Sequence, residues 1–415
     1  MIKRLTAIGI IFGCTAIAWF ILASVTTNRT YTADGNLRKQ VEQVWGAPQV
    51  QQSPTISWSE RVNRQVETLE DGKKVVKTVE RRVSHAIPLQ ASDINVSLNL
   101  EHRQKGLLWY ATYAVEFGGV YTIENNSGAA REIDVEWLFP AKNAVFDDLK
   151  FEIDGKPWLA PPAAADDRLA GRLQLAAGER MQLRASYRSQ GLERWTYRFG
   201  SGVAEVQNFR LTMRTNFGAI DFPDGSISPG RKERSGDGWQ LAWEFRRLVA
   251  GVNITLAMPE KLQPGPLAGE IAAFAPVSLF FFIVVLLTIG VVKGIDLHPM
   301  HFFFLSAAFF AFHLLFSYLV DVVSIHAAFA IAAVTSLALV TSYLRVVFGS
   351  RFAFFAAGSA QLVYLVLFSY AFFFKGLTGL AITTGAIVTL FVLMQVTAKV
   401  EWNTVFAGRP AGAPV

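Results

Sequence analysis

The chain has 415 residues and a formal net charge of +6, yet only 17% of its residues are charged while 52% are hydrophobic. Soluble domains carry about 25% charged residues, so this balance excludes a single soluble domain. The charge deficit is local, because ionisable residues become rare only beyond residue 271. The chain therefore has one part suited to water and one part suited to lipid.

Residue types exclude several further classes of protein. Lysine and arginine are scattered and often lie near acidic residues, so no long basic block predicts nucleic-acid binding. Cys14 is the only cysteine, which excludes an intramolecular disulfide and a CxxC metal or redox motif. The sequence contains no phosphate-binding loop, dinucleotide fingerprint or serine-centred elbow, and we expect no cofactor.

The chain begins with Lys3 and Arg4, followed by an apolar run over residues 7–25. Cleaved signal peptides have an apolar region of about 7–15 residues that ends in a small-residue cleavage site. This run is longer and has no clear site, so we predict an uncleaved transmembrane signal anchor over residues 1–25. Residues 37–44 are predicted to form a short helix leading out of the membrane.

Residues 26–267 are predicted to form a mainly-β domain outside the cytoplasm. Apolar and polar residues alternate over residues 94–100, 133–139, 181–187, 209–213 and 239–245, which is the pattern of half-buried strands. Asp71-Gly72 lies between two charged strands and predicts a hairpin. Because no long amphipathic helix separates the strands, we predict antiparallel sheets packed as a sandwich.

The remaining third of the chain is predicted to cross a membrane five times. A bilayer-spanning helix needs about 20 apolar residues. Five runs qualify, at residues 271–292, 302–320, 327–344, 352–374 and 378–398. With the signal anchor they give a six-helix transmembrane assembly, in which residues 268–399 form a five-helix domain and residues 400–415 a tail.

The positions of lysine and arginine predict the orientation, because short cytoplasmic loops are enriched in both. Lys3, Arg4, Lys293, the loop 345–351 and Lys399 all fall on one side of this arrangement. We therefore predict a multi-pass protein of the bacterial inner membrane with both termini cytoplasmic. Residues 26–267 are predicted to be periplasmic, and the lipid bilayer is the main predicted partner.

The break between the second and third helices carries four candidate positions, Leu297, His298, Pro299 and Met300. Asp296 is predicted to cap the following helix and Pro299 to occupy its first turn. The alternative is a metal pair formed by the histidines at 298 and 301. Since proline keeps the first histidine outside the helix and only one nearby carboxylate could add a ligand, we predict a structural loop and no metal site.

Two ionisable residues of the apolar part, His313 and Asp321, are the other candidates. Asp321 is predicted at the outer end of its helix, where the cost of burying a carboxylate falls. His313 is predicted to lie deeper, on about the same helical face as Tyr318 and Phe309-Phe310. Intramembrane ionisable residues are functional candidates, so a proton or ligand path is one interpretation and a neutral histidine bonded between helices is the other. Gln361 and Gln395 are predicted to join helices by hydrogen bonds rather than to bind a substrate.

Four short segments, spread along nearly the whole chain, are similar to those of a known family. They are residues 46–49 (Gly-Ala-Pro-Gln), 101–107 (Glu-His-Arg-Gln-Lys-Gly-Leu), 297–300 (Leu-His-Pro-Met) and 401–402 (Glu-Trp). In this order they resemble the CreD family of inner-membrane, cell-envelope integrity proteins. Residues 320–325 differ from the family pattern and keep only its acidic character, at Asp321. The resemblance implies a protein linked to envelope stress and implies no catalytic residues.

We therefore expect a non-enzymatic inner-membrane protein that supports cell-envelope integrity and envelope-stress tolerance, with other envelope proteins among its partners. One alternative is a transporter or channel component for a small or lipid-linked solute, which predicts ionisable residues near the bilayer midplane. The other is a membrane-bound hydrolase with its site on the β domain. Its base would be His85 or His102, the two histidines outside the apolar part.

Overall fold

The computed structural model describes residues 2–70, 73–106, 108–142, 144–158, 167–200, 204–374, 376–398 and 400. The chain forms two compact units. The first unit comprises Met1–Gly35 and Leu262–Val415, and the second comprises Asn36–Lys261. The units therefore divide after residues 35 and 261, whereas the sequence predicted boundaries after residues 25 and 267.

The described residues contain six helices that are long and apolar enough to cross a membrane, as predicted. They are α1 (Ile2–Trp45), α2 (Pro264–Lys293), α3 (Pro299–Leu319), α4 (Ile325–Phe348), α5 (Phe352–Phe373) and α6 (Thr378–Thr397). Two stretches of α5, Phe352–Gly358 and Leu362–Leu367, are π-helical.

The first helix is longer than the sequence analysis predicted. It continues past residue 25 to Trp45 and includes the segment 37–44 that was predicted as a separate helix. No proline occurs before Pro48, and a single glycine such as Gly35 disfavours a helix by only about 1 kcal/mol relative to alanine. The helix ends at Trp45, and the next residue, Gly46, has a φ of 103°, which suits glycine and few other residues.

Large aromatic side chains fill the interior of the first unit. Phe282 of α2 and Phe309 of α3 are fully buried, with ring centroids 4.5 Å apart. Trp19 of α1 is also fully buried and packs against Phe310 and His313 of α3. Its ring centroid lies 6.1 Å from that of Phe310 and 5.3 Å from that of His313. Since α1 contributes to this core, it is an integral helix of the first unit.

The described part of the second unit consists of fifteen strands and the end of α1. The strands are β1 (Gln49–Gln52), β2 (Thr55–Glu70), β3 (Lys73–Ala86), β4 (Ala91–Lys105), β5 (Leu108–Glu124), β6 (Arg131–Leu138), β7 (Phe146–Ile153), β8 (Lys156–Pro157), β9 (Arg168–Leu175), β10 (Arg180–Leu192), β11 (Arg194–Arg198), β12 (Ala204–Thr215), β13 (Arg231–Ser235), β14 (Gly238–Ala250) and β15 (Ile254–Ala257). The predicted mainly-β domain is therefore confirmed. The predicted turn Asp71-Gly72 lies outside the described residues, but β2 and β3 on either side pair antiparallel as its hairpin requires.

The strands form three sheets. One has eight strands in the order β13-β14-β12-β4-β5-β10-β7-β8, one has four in the order β3-β2-β6-β9, and one has three in the order β1-β11-β15. Most neighbours are antiparallel, but β12 pairs parallel with β4, and β1 with β11. The prediction of purely antiparallel sheets is wrong at these two pairs. Parallel neighbours need a long connection, and alternation within a strand does not specify such a distant partner.

One hydrophobic core contains buried residues from all three sheets. It is rich in aromatic side chains, including Trp137 of β6, Trp195 of β11 and Trp243 of β14, all fully buried. Buried tyrosines place their hydroxyls on polar partners: that of Tyr113 donates to the Arg194 carbonyl oxygen at 2.8 Å, and that of Tyr187 to Gln51 Oε1 at 2.9 Å. Core tyrosines are thus hydrogen-bonded in their neutral form.

We expect the second unit to unfold as the pH rises above about 10, the ordinary pKa of tyrosine. Burial raises the pKa of Tyr113, Tyr121, Tyr187 and Tyr197 above that value. Their stabilising contribution is complete below the unfolded-state pKa and is lost as the pH rises through the folded-state pKa values. Circular dichroism of the detergent-solubilised protein checks this, and Tyr121→Phe should move the midpoint upward. A midpoint that Tyr121→Phe leaves unmoved would contradict the prediction.

Candidate functional site

The loop between α2 and α3 holds the four predicted positions of the first candidate site. His298 is the N-cap residue of α3, and its Nδ1 accepts a hydrogen bond from the Met300 backbone N–H at 3.2 Å. Pro299 occupies the first turn, as predicted. Leu297 is buried beside Gly290 of α2, while Met300 is half exposed. These contacts favour a structural role for the loop.

Asp296 does not cap α3, so that prediction is wrong. Because the helix begins at Pro299, the capping position belongs to His298 and Asp296 lies too early in the chain. Asp296 instead forms an ion pair with Arg4 of α1. Both side chains are more than half exposed, so the pair contributes little stability. It does bring the basic start of the chain next to the α2–α3 loop.

His301 connects α3 to α4. Its Nδ1 lies 2.8 Å from the hydroxyl oxygen of Tyr343, and its ring centroid is 6.4 Å from that of His298. Across the described residues there is no group of three or more His, Cys, Asp or Glu side chains that could hold a metal ion. The hydrogen bond to Tyr343 gives His301 an interhelical role.

Replacing Pro299 by alanine is expected to lower the abundance of the protein in membranes modestly, while His298→Asn should leave it nearly unchanged. Proline fixes φ at the first turn, where no N–H donor is needed, and asparagine is itself a favourable N-cap residue. Quantitative immunoblotting of membranes, with function normalised to protein level, checks the order. Full loss of function in His298→Asn at normal abundance would instead make this histidine functional, since an amide does not titrate near neutrality.

Asp321 pairs with an arginine of the first helix. Its Oδ2 lies 2.8 Å from Arg29 Nη2 in an ion pair, and the same nitrogen donates a hydrogen bond to the Ser317 carbonyl oxygen at 3.0 Å. The guanidinium also lies 5.4 Å from the ring centroid of Tyr318. Side-chain exposures of 40% for Arg29 and 30% for Asp321 show that the pair is partly screened. This cluster joins α1 to the end of α3.

His313 is buried at the same α1–α3 contact. Its Nδ1 lies 2.9 Å from the Phe309 carbonyl oxygen. Since a carbonyl only accepts, Nδ1 carries the proton and Nε2 of the neutral ring is an acceptor. Neither that Nε2 nor the indole N–H of Trp19 has a partner among the described residues. His313, which the sequence predicted as an intramembrane candidate, is thus a buried polar residue. Its unpaired acceptor Nε2 lies on a ring that contacts Trp19, which carries an unpaired donor.

Gln361 forms the predicted interhelical hydrogen bond, whereas Gln395 is exposed on α6 and forms none among the described residues. Its Nε2 donates to Ser336 Oγ of α4 at 2.8 Å, and that hydroxyl donates to the Ala308 carbonyl oxygen of α3 at 2.7 Å. Gln361 lies between the two π-helical stretches of α5. Such stretches often occur at functional sites. Three helices are therefore joined by one buried polar chain.

Arg29 and Trp19 were not predicted as functional candidates from the sequence. Arg29 lies beyond the predicted end of the first helix at residue 25, so it was assigned to the outer domain. The available signal was the lack of a helix-breaking residue between the apolar run and Arg29. Trp19 carried no signal of its own, because a tryptophan in an apolar run suits a lipid-facing position as well as a buried one.

Comparison with known proteins adds little. No family model and no curated protein matches the chain. A solved structure described as a putative nutrient binding protein, from Legionella pneumophila subsp. pneumophila, is 10% identical, covers 48% of this chain and 74% of its own, and has a TM-score of 0.31. That similarity is too low to support an argument about function. By its apolar helices and its sheets, the chain is a multi-pass membrane protein with a large mainly-β unit.

Proposed function

We propose that this is a non-enzymatic protein of the bacterial inner membrane that supports cell-envelope integrity and stress tolerance through a periplasmic β domain. The resemblance to the CreD family supports this assignment. The β domain, Asn36–Lys261, is the larger part of the chain and lies between two apolar helices. The membrane helices serve mainly to hold it at the bilayer surface.

The observation that carries the proposal is the close contact between α1 and α2, the two helices that flank the β domain in the chain. Gly265 and Gly269 of α2 have the small-xxx-small spacing of closely packed membrane helices. A Cβ added at either glycine would collide with the Oγ1 of Thr30 or Thr27 of α1. The chain thus leaves and re-enters the first unit through two helices in tight contact, as suits a bundle whose role is to anchor the β domain.

The orientation follows from the charge bias of the loops. Reporter fusions at Gly72 and Asp224 should give periplasmic signals, and fusions at Gly294 and Gly408 cytoplasmic signals. Lys293 and Arg345 lie in the last turns of α2 and α4, and lysine and arginine at helix ends favour the cytoplasmic side. A cytoplasmic signal from the fusion at Asp224 would overturn the whole arrangement.

Envelope-stress tolerance tests the function itself. Cells lacking the protein should tolerate detergents and cell-wall-directed agents less well, and the full chain should restore tolerance. The six helices joined by a short linker in place of the β domain should not restore it, although they reach the membrane in equal amount. Full restoration by the helices alone would contradict the proposal and favour a function within the bundle.

The alternative is a transporter or channel component, and two observations favour it. His313 and Trp19 present unpaired polar atoms inside the first unit, and α5 contains two π-helical stretches. Under this alternative, His313→Phe at normal abundance would abolish function. Under the leading proposal it would leave envelope tolerance unchanged.

A hydrolase is supported less well. His85 Nε2 lies 3.0 Å from Glu60 Oε1, and its ring stacks on Trp58 with centroids 4.4 Å apart. His102 Nε2 lies 2.7 Å from the Pro259 carbonyl oxygen. A general base needs its nitrogen within reach of a nucleophile. The described contacts of both rings are instead those of structural histidines.

A further inference from the structure

Two adjacent glycines in the middle of β5 differ in what surrounds them. Gly119 faces the core, and a Cβ there would lie 2.8 Å from the ring of Tyr121, so packing requires glycine. Gly118 faces the other side of the sheet, and a Cβ there would meet nothing within 4 Å. Its φ is also outside the left-handed region. Glycine inside a strand weakens it and often marks a place where a ligand approaches the backbone.

Gly118 lies at the centre of a row of short side chains that crosses five strands of the eight-stranded sheet and ends at Arg231 of β13 and Lys150 of β7. The strand register defines this row on β14, β12, β4, β5 and β10 as Ala242, Thr212, Asn95, Gly118 and Ser186. Neighbouring strands lie about 4.8 Å apart, so five strands give the row a length of about 19 Å. Every member of the row is on the outer face of the sheet, away from the core.

Longer charged side chains flank this row on both sides. They are Arg184, Arg210, Asp93 and Glu244 on one side and Arg188, Arg214 and Glu116 on the other. Arg210 lies 3.7 Å from Glu244 and 4.0 Å from Asp93, so it is held between two carboxylates. Two depressions of about 680 and 270 Å³ lie on this face. We call the row and its flanking residues the Gly118 groove.

The first depression contains an asparagine with a left-handed backbone conformation. Asn208 has a φ of 43°, and its side-chain amide donates to the Gln90 carbonyl oxygen at 3.0 Å. Asparagine adopts this region more readily than most residues, so the conformation itself does not indicate a ligand. Asn208 lies on the same sheet face as the groove and adds an exposed amide to it.

The charges of the groove indicate what it can bind. Arginines and carboxylates alternate and nearly balance, so a polyanion would meet the carboxylates and a polycation would meet the arginines. A neutral polymer rich in hydroxyl and amide groups can donate to the carboxylates and accept from the arginines. Asn95 and Thr212 add uncharged donors and acceptors on the floor.

We propose that the Gly118 groove binds a glycan strand of the cell wall, a linear polymer of N-acetylated aminosugars. This inference rests on the proposed periplasmic location of the β domain. It gives that domain a ligand, and it makes the protein a bridge between the bilayer and the wall. The short side chains along the floor of the groove let a sugar ring approach the backbone. The flanking arginines and carboxylates form hydrogen bonds with the hydroxyls of the sugar.

The test uses the full chain in detergent micelles and a hexamer of N-acetylglucosamine as the probe, with binding measured by calorimetry. Gly118→Leu should weaken binding at least about tenfold, or about 1.4 kcal/mol, because the new side chain fills the floor. It should leave the fold intact, since a Cβ at this position on the outer face meets nothing within 4 Å. The matched control is Ala170→Leu, at an exposed position of β9 in the four-stranded sheet, and it should bind like the parent protein.

Three results would overturn the inference: no binding of the hexamer or of purified cell-wall sacculi by the folded parent protein, equal binding by Gly118→Leu, or stronger binding of heparin than of the hexamer. The last would assign the groove to a polyanion. Failure of the proposed function gives a different result from failure of this inference. If the parent protein binds glycan in vitro but Gly118→Leu cells keep full stress tolerance, the groove is a glycan site that has no role in envelope integrity.

Discussion

Replacing Trp137 by alanine is expected to lower the free energy of unfolding of the β unit by about 3–5 kcal/mol, the usual cost of truncating a large buried aromatic side chain. The indole is fully buried and lies within 6 Å of the rings of Phe117, Tyr121 and Phe151. It belongs to β6 of the four-stranded sheet, whereas these neighbours belong to the eight-stranded sheet. The substitution therefore leaves a cavity between two sheets.

A urea titration of the full chain in detergent, followed by the β-sheet signal, measures this loss. Trp137→Phe is the matched control and should cost less than about 1.5 kcal/mol, because it keeps most of the aromatic volume. It also removes an indole N–H that has no partner among the described residues. If phenylalanine cost as much as alanine, the indole would have an essential polar contact and the cavity argument would fail.

The second large effect is expected at the contact between α1 and α2. Gly265→Leu should reduce the amount of folded protein severalfold, because overpacking a close contact costs about 1–3 kcal/mol. A Cβ alone at Gly265 would already collide with Thr30 Oγ1 and lie 3.0 Å from Thr30 Cβ. The helices must separate to admit a leucine.

Gly13→Leu in α1 is the control for this change, because a Cβ at Gly13 meets nothing within 4 Å. It should leave the yield of folded protein unchanged or slightly improved, since leucine favours helix more than glycine does. Size-exclusion chromatography in mild detergent, with protease resistance of the β unit, gives the measurement. Equal losses for both variants would mean that added bulk anywhere in these helices is harmful and that the contact has no special role.

Patterns within one element were predicted well from the sequence. The alternation at Ile94, Val96 and Leu98 predicted a strand whose apolar face is buried, and all three residues are at most 3% exposed. The six apolar runs likewise predicted six helices. In both cases the signal and the structure extend over the same few residues, so local periodicity is sufficient.

Features that depend on distant partners were not predicted. The parallel pairing of β12 with β4 depends on a connection of about a hundred residues, and nothing in either strand identifies the other. Asp321 was recognised as a candidate, but its partner Arg29 lies almost three hundred residues earlier. The row through Gly118 exists only once five strands are in register. Charge and periodicity in the sequence identify candidate strands and candidate functional residues. Which of them come into contact depends on pairing between distant segments, which these local patterns do not determine.

The π-helical stretches of α5 bear on how the length of this helix can change during evolution. In an α-helix each residue turns the chain by about 100°, so losing one residue rotates everything that follows. A π-helical turn already holds an extra residue, and a deletion within Phe352–Gly358 can return that stretch to α-helical bonding. Gln361 would then keep its direction toward Ser336. Single-residue gaps, ordinarily the most damaging length change in a membrane helix, should therefore be tolerated in this stretch.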